Sequence, residues 1–129
     1  MALWALMRTG AEHIFHIALT QEWEDAKLVG EYRVSTLGAT VEDVGYVHGS
    51  FRDQVERIGS SLCSNVSEPV IVLQIDPNRL SVPVRVENLE GGSEPFPHIY
   101  GPLAIDAVVA TMPAQMDSQR FVVAWDDDR

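Results

Sequence analysis

The sequence predicts an α+β domain. Three observations carry that expectation. The helix signals fall in the first half of the chain, most strand-like runs crowd the second half, and the regular strand–helix alternation of a parallel α/β fold is missing. A chain of 129 residues with 46% hydrophobic and 22% charged residues fits one globular domain. At that size folding buries roughly two thirds of the surface the unfolded chain exposes, so no metal or disulfide staple is required. The expected organisation is a leader or short arm over 1–12, one domain over 13–112, and an extension over 113–129 with an edge strand and an acidic tail.

Residues 13–18, rich in β-formers, predict the first strand. Thr20 is the expected cap of a helix over 21–29. The acidic first turn, Glu22, Glu24 and Asp25, complements the helix dipole, and Gly30 stands where a C-cap belongs. Residues 31–44 read as a long loop. Tyr46 and Val47 lead through His48-Gly49-Ser50 into a helix, with Ser50 and Asp53 at capping-box spacing and Val55, Ile58 and Leu62 facing the core. Val70 to Ile75 is a near-continuous apolar run and predicts a central strand. Asp76-Pro77-Asn78 is a turn, and Val84 to Glu87 alternates, placing Arg85 and Glu87 on one face. Pro97 to Tyr100 follows a Gly91-Gly92 loop. An apolar stretch from Leu103 to Met112 ends as a strand, and Phe121 to Trp125 adds an edge.

Charge and composition exclude several classes. The formal net charge of −10 repels a phosphate backbone, so nucleic acid is not an expected partner. No apolar run approaches the ~18 residues of a membrane span, and Arg8 follows the short apolar start where a secretory signal has its positive charge first. A lone Cys63 makes no intrachain disulfide, which fits a reducing cytoplasm, and has no motif around it that would mark a nucleophile.

The histidines are the residues that suggest chemistry, since imidazole titrates near neutral pH. His13 and His16 stand three apart on a strand, on opposite faces, and no histidine pair has the i, i+4 spacing of a zinc motif, so no metal site is expected. His48 with Ser50, and His98 with Tyr100, each place an imidazole and a hydroxyl on one face near a chain turn. Structural roles are open to all of them: a histidine bonded to a carbonyl, a serine capping a helix, a tyrosine filling the core. A serine hydrolase lacks its Gly-x-Ser-x-Gly elbow here, and no dinucleotide-fold glycine fingerprint follows a strand.

The segments Ile14-Phe15-His16, Trp23, Gly30-Glu31-Tyr32, Tyr46-Val47-His48-Gly49-Ser50 with Gln54, Leu73-Gln74-Ile75-Asp76, Val84-Arg85-Val86-Glu87 and Phe96-Pro97-His98-Ile99-Tyr100-Gly101-Pro102-Leu103 with Asp106-Ala107-Val108 resemble, in that order, the bacterial family called domain of unknown function 952. The resemblance implies the ADP-ribosyltransferase fold, a split and strongly bent β-sheet with flanking helices that binds NAD in its active members. It aligns His16 with the residue holding the nicotinamide-side ribose in the diphtheria-toxin-like branch, and His98 with the neighbourhood of the transferases' catalytic glutamate. Histidine there is a departure, because an imidazolium opposes the cationic transition state that a carboxylate stabilises; Glu87 is the nearby carboxylate. The leading expectation is thus NAD or nucleotide binding, with His48, His98 and Glu87 as catalytic candidates and His16, Tyr46, Ser50, Arg85 and Tyr100 as binding candidates. A small-molecule enzyme with His48 and His98 as acid–base pair is the second, and a non-catalytic binding module the third.

Overall fold

The computed structural model describes residues 12–89 and 91–125. The expected leader, apart from Glu12, and the acidic run Asp126–Asp128 lie outside those residues. The strands are β1 (Ile14–Leu19), β2 (Glu31–Tyr32), β3 (Val34–Thr36), β4 (Ala39–Thr40), β5 (Val47–His48), β6 (Val70–Ile75), β7 (Val84–Glu87), β8 (Phe96–Ile99), β9 (Leu103–Ala104), β10 (Val108–Asp117) and β11 (Arg120–Val123). The α-helices are α1 (Thr20–Val29), α2 (Val41–Val44) and α3 (Arg52–Leu62). The mixture is α+β. None of the described helices is long and apolar enough to cross a membrane.

The larger sheet has the order β1-β6-β10-β11, antiparallel throughout. β6 is central, as its unbroken apolar run predicts. β10 crosses residues 112 and 113 without interruption, so the C-terminal hairpin is part of this sheet. Side-chain alternation along β1 gives the sheet two cores. Ile14 and Ala18 join Trp23, Tyr32, Leu73 and Ile75 on one face; Phe15 and Ile17 join Val55, Val72, Met112 and Phe121 on the other. Leu73 and Ile75 are fully buried, each contributing about 1.5–3 kcal/mol.

A second, three-stranded sheet has the order β5-β8-β7. An antiparallel bridge between Phe15 and Ser50 joins it to the free edge of β1, so the two sheets form one curled array. Gly49 makes the close approach possible, since a Cβ there would lie 2.6 Å from Ile14 Cγ2 and 3.0 Å from the Pro97 carbonyl.

Several local expectations change. Thr20 is the first residue of α1 rather than its cap; its N–H continues the β1–β6 ladder to the Pro69 carbonyl at 3.0 Å, which draws its backbone into the strand-to-helix junction. Gly30 does end α1, at φ 106°. The expected loop over 31–44 contains β2, β3, β4 and α2, elements of two to four residues that are too short for periodicity to register. The capping box lies one residue later than Ser50 and Asp53. Ser50 is held in the bridge, Phe51 takes the N-cap position, and the Phe51 N–H donates to Gln54 Oε1 at 2.9 Å.

Helix α3 packs on β11 through Gly59, where a Cβ would fall 2.2 Å from the buried Phe121 ring. Gly59→Ala gains roughly 1 kcal/mol of helix propensity but forces two packed elements apart, a cost of about 1–3 kcal/mol or more. The variant is expected to be less stable than wild type in urea unfolding; equal or greater stability would show that the helix and strand are loosely packed here.

Candidate functional site

The three-stranded sheet sorts its side chains by register. Val47 and Ile99 are opposite each other and fully buried in the core, with Val84 packed beside them. Alternation therefore turns their neighbours to the other face. There His48 stands directly opposite His98, and His98 directly opposite Arg85, forming one row across β5, β8 and β7. Tyr46, two residues before His48, and Glu87, two residues after Arg85, belong to the same face.

Contacts within that face are close. The Tyr46 ring meets the His98 ring edge-on at 4.7 Å between centroids, and the His48 ring meets it at 5.8 Å. Tyr100 flanks Tyr46 at 5.7 Å, and Phe96 flanks His48 at 5.7 Å. The Tyr100 hydroxyl donates to the Glu87 carboxylate, a bond that holds the phenol above its ordinary pKa range. The Arg85 guanidinium lies 5.2 Å from the Tyr100 ring centre. His98, at 0% exposure, is the floor of the arrangement; His48, Tyr46, Tyr100 and Glu87 are half-buried around it, and Arg85 is exposed.

His16 is placed differently. Its side chain lies beside Tyr32, and it lines one small cavity together with His48. Its Nδ1 lies 2.7 Å from the His48 carbonyl and its Nε2 2.9 Å from the Tyr32 hydroxyl. A carbonyl only accepts, so Nδ1–H donates to His48, and the neutral ring's Nε2 accepts from Tyr32. Burial lowers the His16 pKa to about 4, against the opposing pull of the His48 carbonyl and with a smaller contribution from charge on His48. His16 is 2% exposed, both its ring nitrogens are engaged, and it holds the backbone of the strand that carries His48.

Behind His16 lies a group that spacing could not reveal. Burial raises the Tyr32 phenol, and the Glu22 charge raises it further. The Glu22 carboxyl is itself raised, first by burial, although the Gly38 N–H works against the shift. One Glu22 oxygen and the Ser35 hydroxyl are buried with no hydrogen-bond partner among the described residues. Tyr32 sits in a two-residue strand and Ser35 in a three-residue one, so no periodic signal marks them. Gln54 was equally hidden: it is 1% exposed, and its Nε2 donates to Glu94 at 2.8 Å and to the Pro95 carbonyl at 3.0 Å, pinning the loop before β8 to α3.

Ser50 shares with His16, His48, Phe15, Thr36 and Leu62 a cavity of about 10 Å³, room for roughly one water. Larger hollows of about 260 and 290 Å³ lie away from the histidines, one between α3 and β11 beside Arg57 and Arg120, the other on β10 and β11 around Pro113 and Val122. No three His, Cys, Asp or Glu side chains among the described residues converge to hold a metal. Cys63 is buried, and burial raises its thiol pKa, which leaves it a poor nucleophile.

Fold and site together define an α+β protein whose curled antiparallel sheet carries a polar, aromatic face on its smaller part. The chain belongs to the family described as protein of unknown function DUF952, whose model matches residues 17–111. Among solved structures it is similar to protein CC0527 from Caulobacter crescentus. The crystal structure of that protein is 24% identical, with a TM-score of 0.70, covering 83% of this chain and 90% of that one. A crystal structure of its double mutant gives 23% identity and the same TM-score of 0.70. Its solution NMR structure gives 22% identity and a TM-score of 0.67, covering 84% and 90% of the two chains. At such identities the likeness is one of fold. No curated protein matches the chain.

The state of His16 has a measurable consequence. With a folded pKa of about 4 against an ordinary 6.5, the unfolded chain binds a proton between those values that the folded chain does not. Stability therefore rises with pH across that window, by up to about 3 kcal/mol from this residue, and the gain is lost as pH falls. His16→Gln, which cannot titrate, is expected to flatten the rise by about one proton in urea unfolding followed from pH 4 to 7. An unchanged slope would mean that folding does not lower the His16 pKa.

Proposed function

We propose that this protein binds a nucleotide of the NAD class across the polar face of β5, β8 and β7, as a divergent member of the ADP-ribosyltransferase fold. The single observation carrying the reading is register: His48, His98 and Arg85, picked out separately in the sequence, stand in one row, with Tyr46, Glu87 and Tyr100 around them. The bend produced by the Phe15–Ser50 bridge supports a split, curved sheet of that type.

On this reading each residue has a distinct task. The Tyr46 and Tyr100 rings offer aromatic surface to a planar base or nicotinamide. Arg85, with no carboxylate partner among the described residues, supplies a cation to the diphosphate. Glu87 is the carboxylate nearest the row and takes the place of the transferase glutamate, while the half-buried His48 imidazole is assigned proton transfer. His16 acts on the site through the His48 backbone.

The ring contact between His48 and His98 also favours a second reading, an acid–base pair acting on another small molecule. Two adjacent imidazoles serve as acid and base when their surroundings separate their pKa values. A bell-shaped pH–rate profile then accompanies activity, whereas a binding module without catalysis shows none.

A two-dimensional NMR titration with NAD discriminates these. Amide shifts gathered at 46–50, 84–87 and 96–100 are expected, and Arg85→Ala is expected to weaken binding about tenfold, the scale of one charge-assisted hydrogen bond. A folded protein showing no shifts at millimolar NAD would remove the nucleotide reading and leave the acid–base pair.

A further inference from the structure

The face just described is closed over its own floor. His98 is completely buried, yet on its sheet face His48, Tyr46, Tyr100 and Glu87 are half-buried and Arg85 is exposed. Among the described residues, the Tyr46 ring meets it edge-on at 4.7 Å and the His48 ring at 5.8 Å. Tyr46 is braced in turn by Tyr100 at 5.7 Å. Tyr100 follows the last residue of β8, and its N–H continues the ladder to the Pro83 carbonyl at 2.8 Å. Two groups from β7 hold it: Glu87 accepts its hydroxyl, and the Arg85 guanidinium lies over its ring. Tyr46 is likewise outside its strand, between Gly45, at φ 103°, and Val47, the first residue of β5.

From this arrangement we infer that Glu87, Tyr100 and Tyr46 form a latch over His98, and that the hydrogen bond between Glu87 and Tyr100 sets how often it opens. The inference rests on reading this face as the binding site and adds its regulation. The same carboxylate, cation and aromatic surfaces that would engage a nucleotide are occupied with one another in the closed arrangement: Glu87 with the phenol, Arg85 with the ring, Tyr46 with the imidazole. A ligand that offers hydroxyls to Glu87 and phosphate to Arg85 competes for those partners, releases Tyr100, and uncovers His98. Access to the imidazole is thereby coupled to occupancy of the outer groups. A ligand that reaches only the tyrosine rings has no such effect.

The test is the reactivity of His98 toward diethyl pyrocarbonate in the intact protein, read on the peptide containing residue 98 by mass spectrometry. Wild type is expected to be slow. Tyr100→Phe keeps the ring and loses only the hydroxyl, and Glu87→Ala removes its acceptor; each is expected to raise the rate at His98 roughly tenfold, the factor corresponding to a hydrogen bond to a charged group. The double variant is expected to be no faster than the faster single, because both remove one bond. Tyr46→Ala, which takes away the cover itself, is expected to be fastest, with circular dichroism confirming that all variants are folded. Equal rates in wild type and both single variants would overturn the latch, as would rates that multiply in the double variant.

Adding NAD to wild type separates the two proposals. Faster His98 modification in the variants without any amide response to NAD leaves the latch standing and removes the nucleotide. Amide shifts with NAD but unchanged His98 reactivity in every variant do the reverse.

Discussion

The molecule depends on a backbone junction two residues wide. Phe15 N–H donates to the Ser50 carbonyl at 2.7 Å, and Ser50 N–H donates to the Phe15 carbonyl at 2.8 Å. Those two bonds connect the edge of the larger sheet to the smaller sheet. A third bond, from His16 Nδ1–H to the His48 carbonyl at 2.7 Å, fixes the same junction from the adjacent residue pair. A pair of short strands joined by two hydrogen bonds is marginal alone, since each contributes only about 1 kcal/mol net. Packing makes the junction durable: Gly49 lets Ile14 and Pro97 approach the backbone directly, and Phe51 is 1% exposed just beyond it.

The polar groups at this junction act through constraint. A histidine buried with both nitrogens engaged costs desolvation of the imidazole, and the carbonyl and phenol offset that cost only while the ring is neutral and in one tautomer. Buried Tyr32 and half-buried Glu22 extend the polar groups outward toward α1 and the β3–β4 turn. An apolar residue at position 16 would fill the space, but would leave the His48 carbonyl without its donor and the strand's position less determined. The chemistry on β5 is thus held in place through its backbone.

Much of the site was legible before the tertiary structure. His48, His98, Arg85 and Tyr100 were candidates from residue type and strand alternation, and Tyr46 and Glu87 from the family resemblance; register brings His48, His98 and Arg85 into one row. Convergence was not legible, since register between strands about 50 residues apart leaves no trace in local spacing. His16 looked equivalent to the other two histidines for the same reason. Period-2 alternation gives the face of a strand relative to its own neighbours, but not which layer covers that face. Gln54 and Tyr32 entered only through the family resemblance, with no periodic signal: one is a helix residue that looks solvated by type, and the other stands in a strand too short to show a period.

The sequence by itself determined the α+β class, the central place of Val70–Ile75, the glycine stop after α1, and the set of side chains able to do chemistry. These follow from short-range physics: propensity, capping and hydrophobic period act within a few residues. The tertiary structure decided the elements between 31 and 44, the position of the cap at Phe51, the inward turn of His16 and the cover over His98. Each of those depends on which distant segment lies alongside, and packing of a specific surface against another fixes it only when the whole chain is assembled.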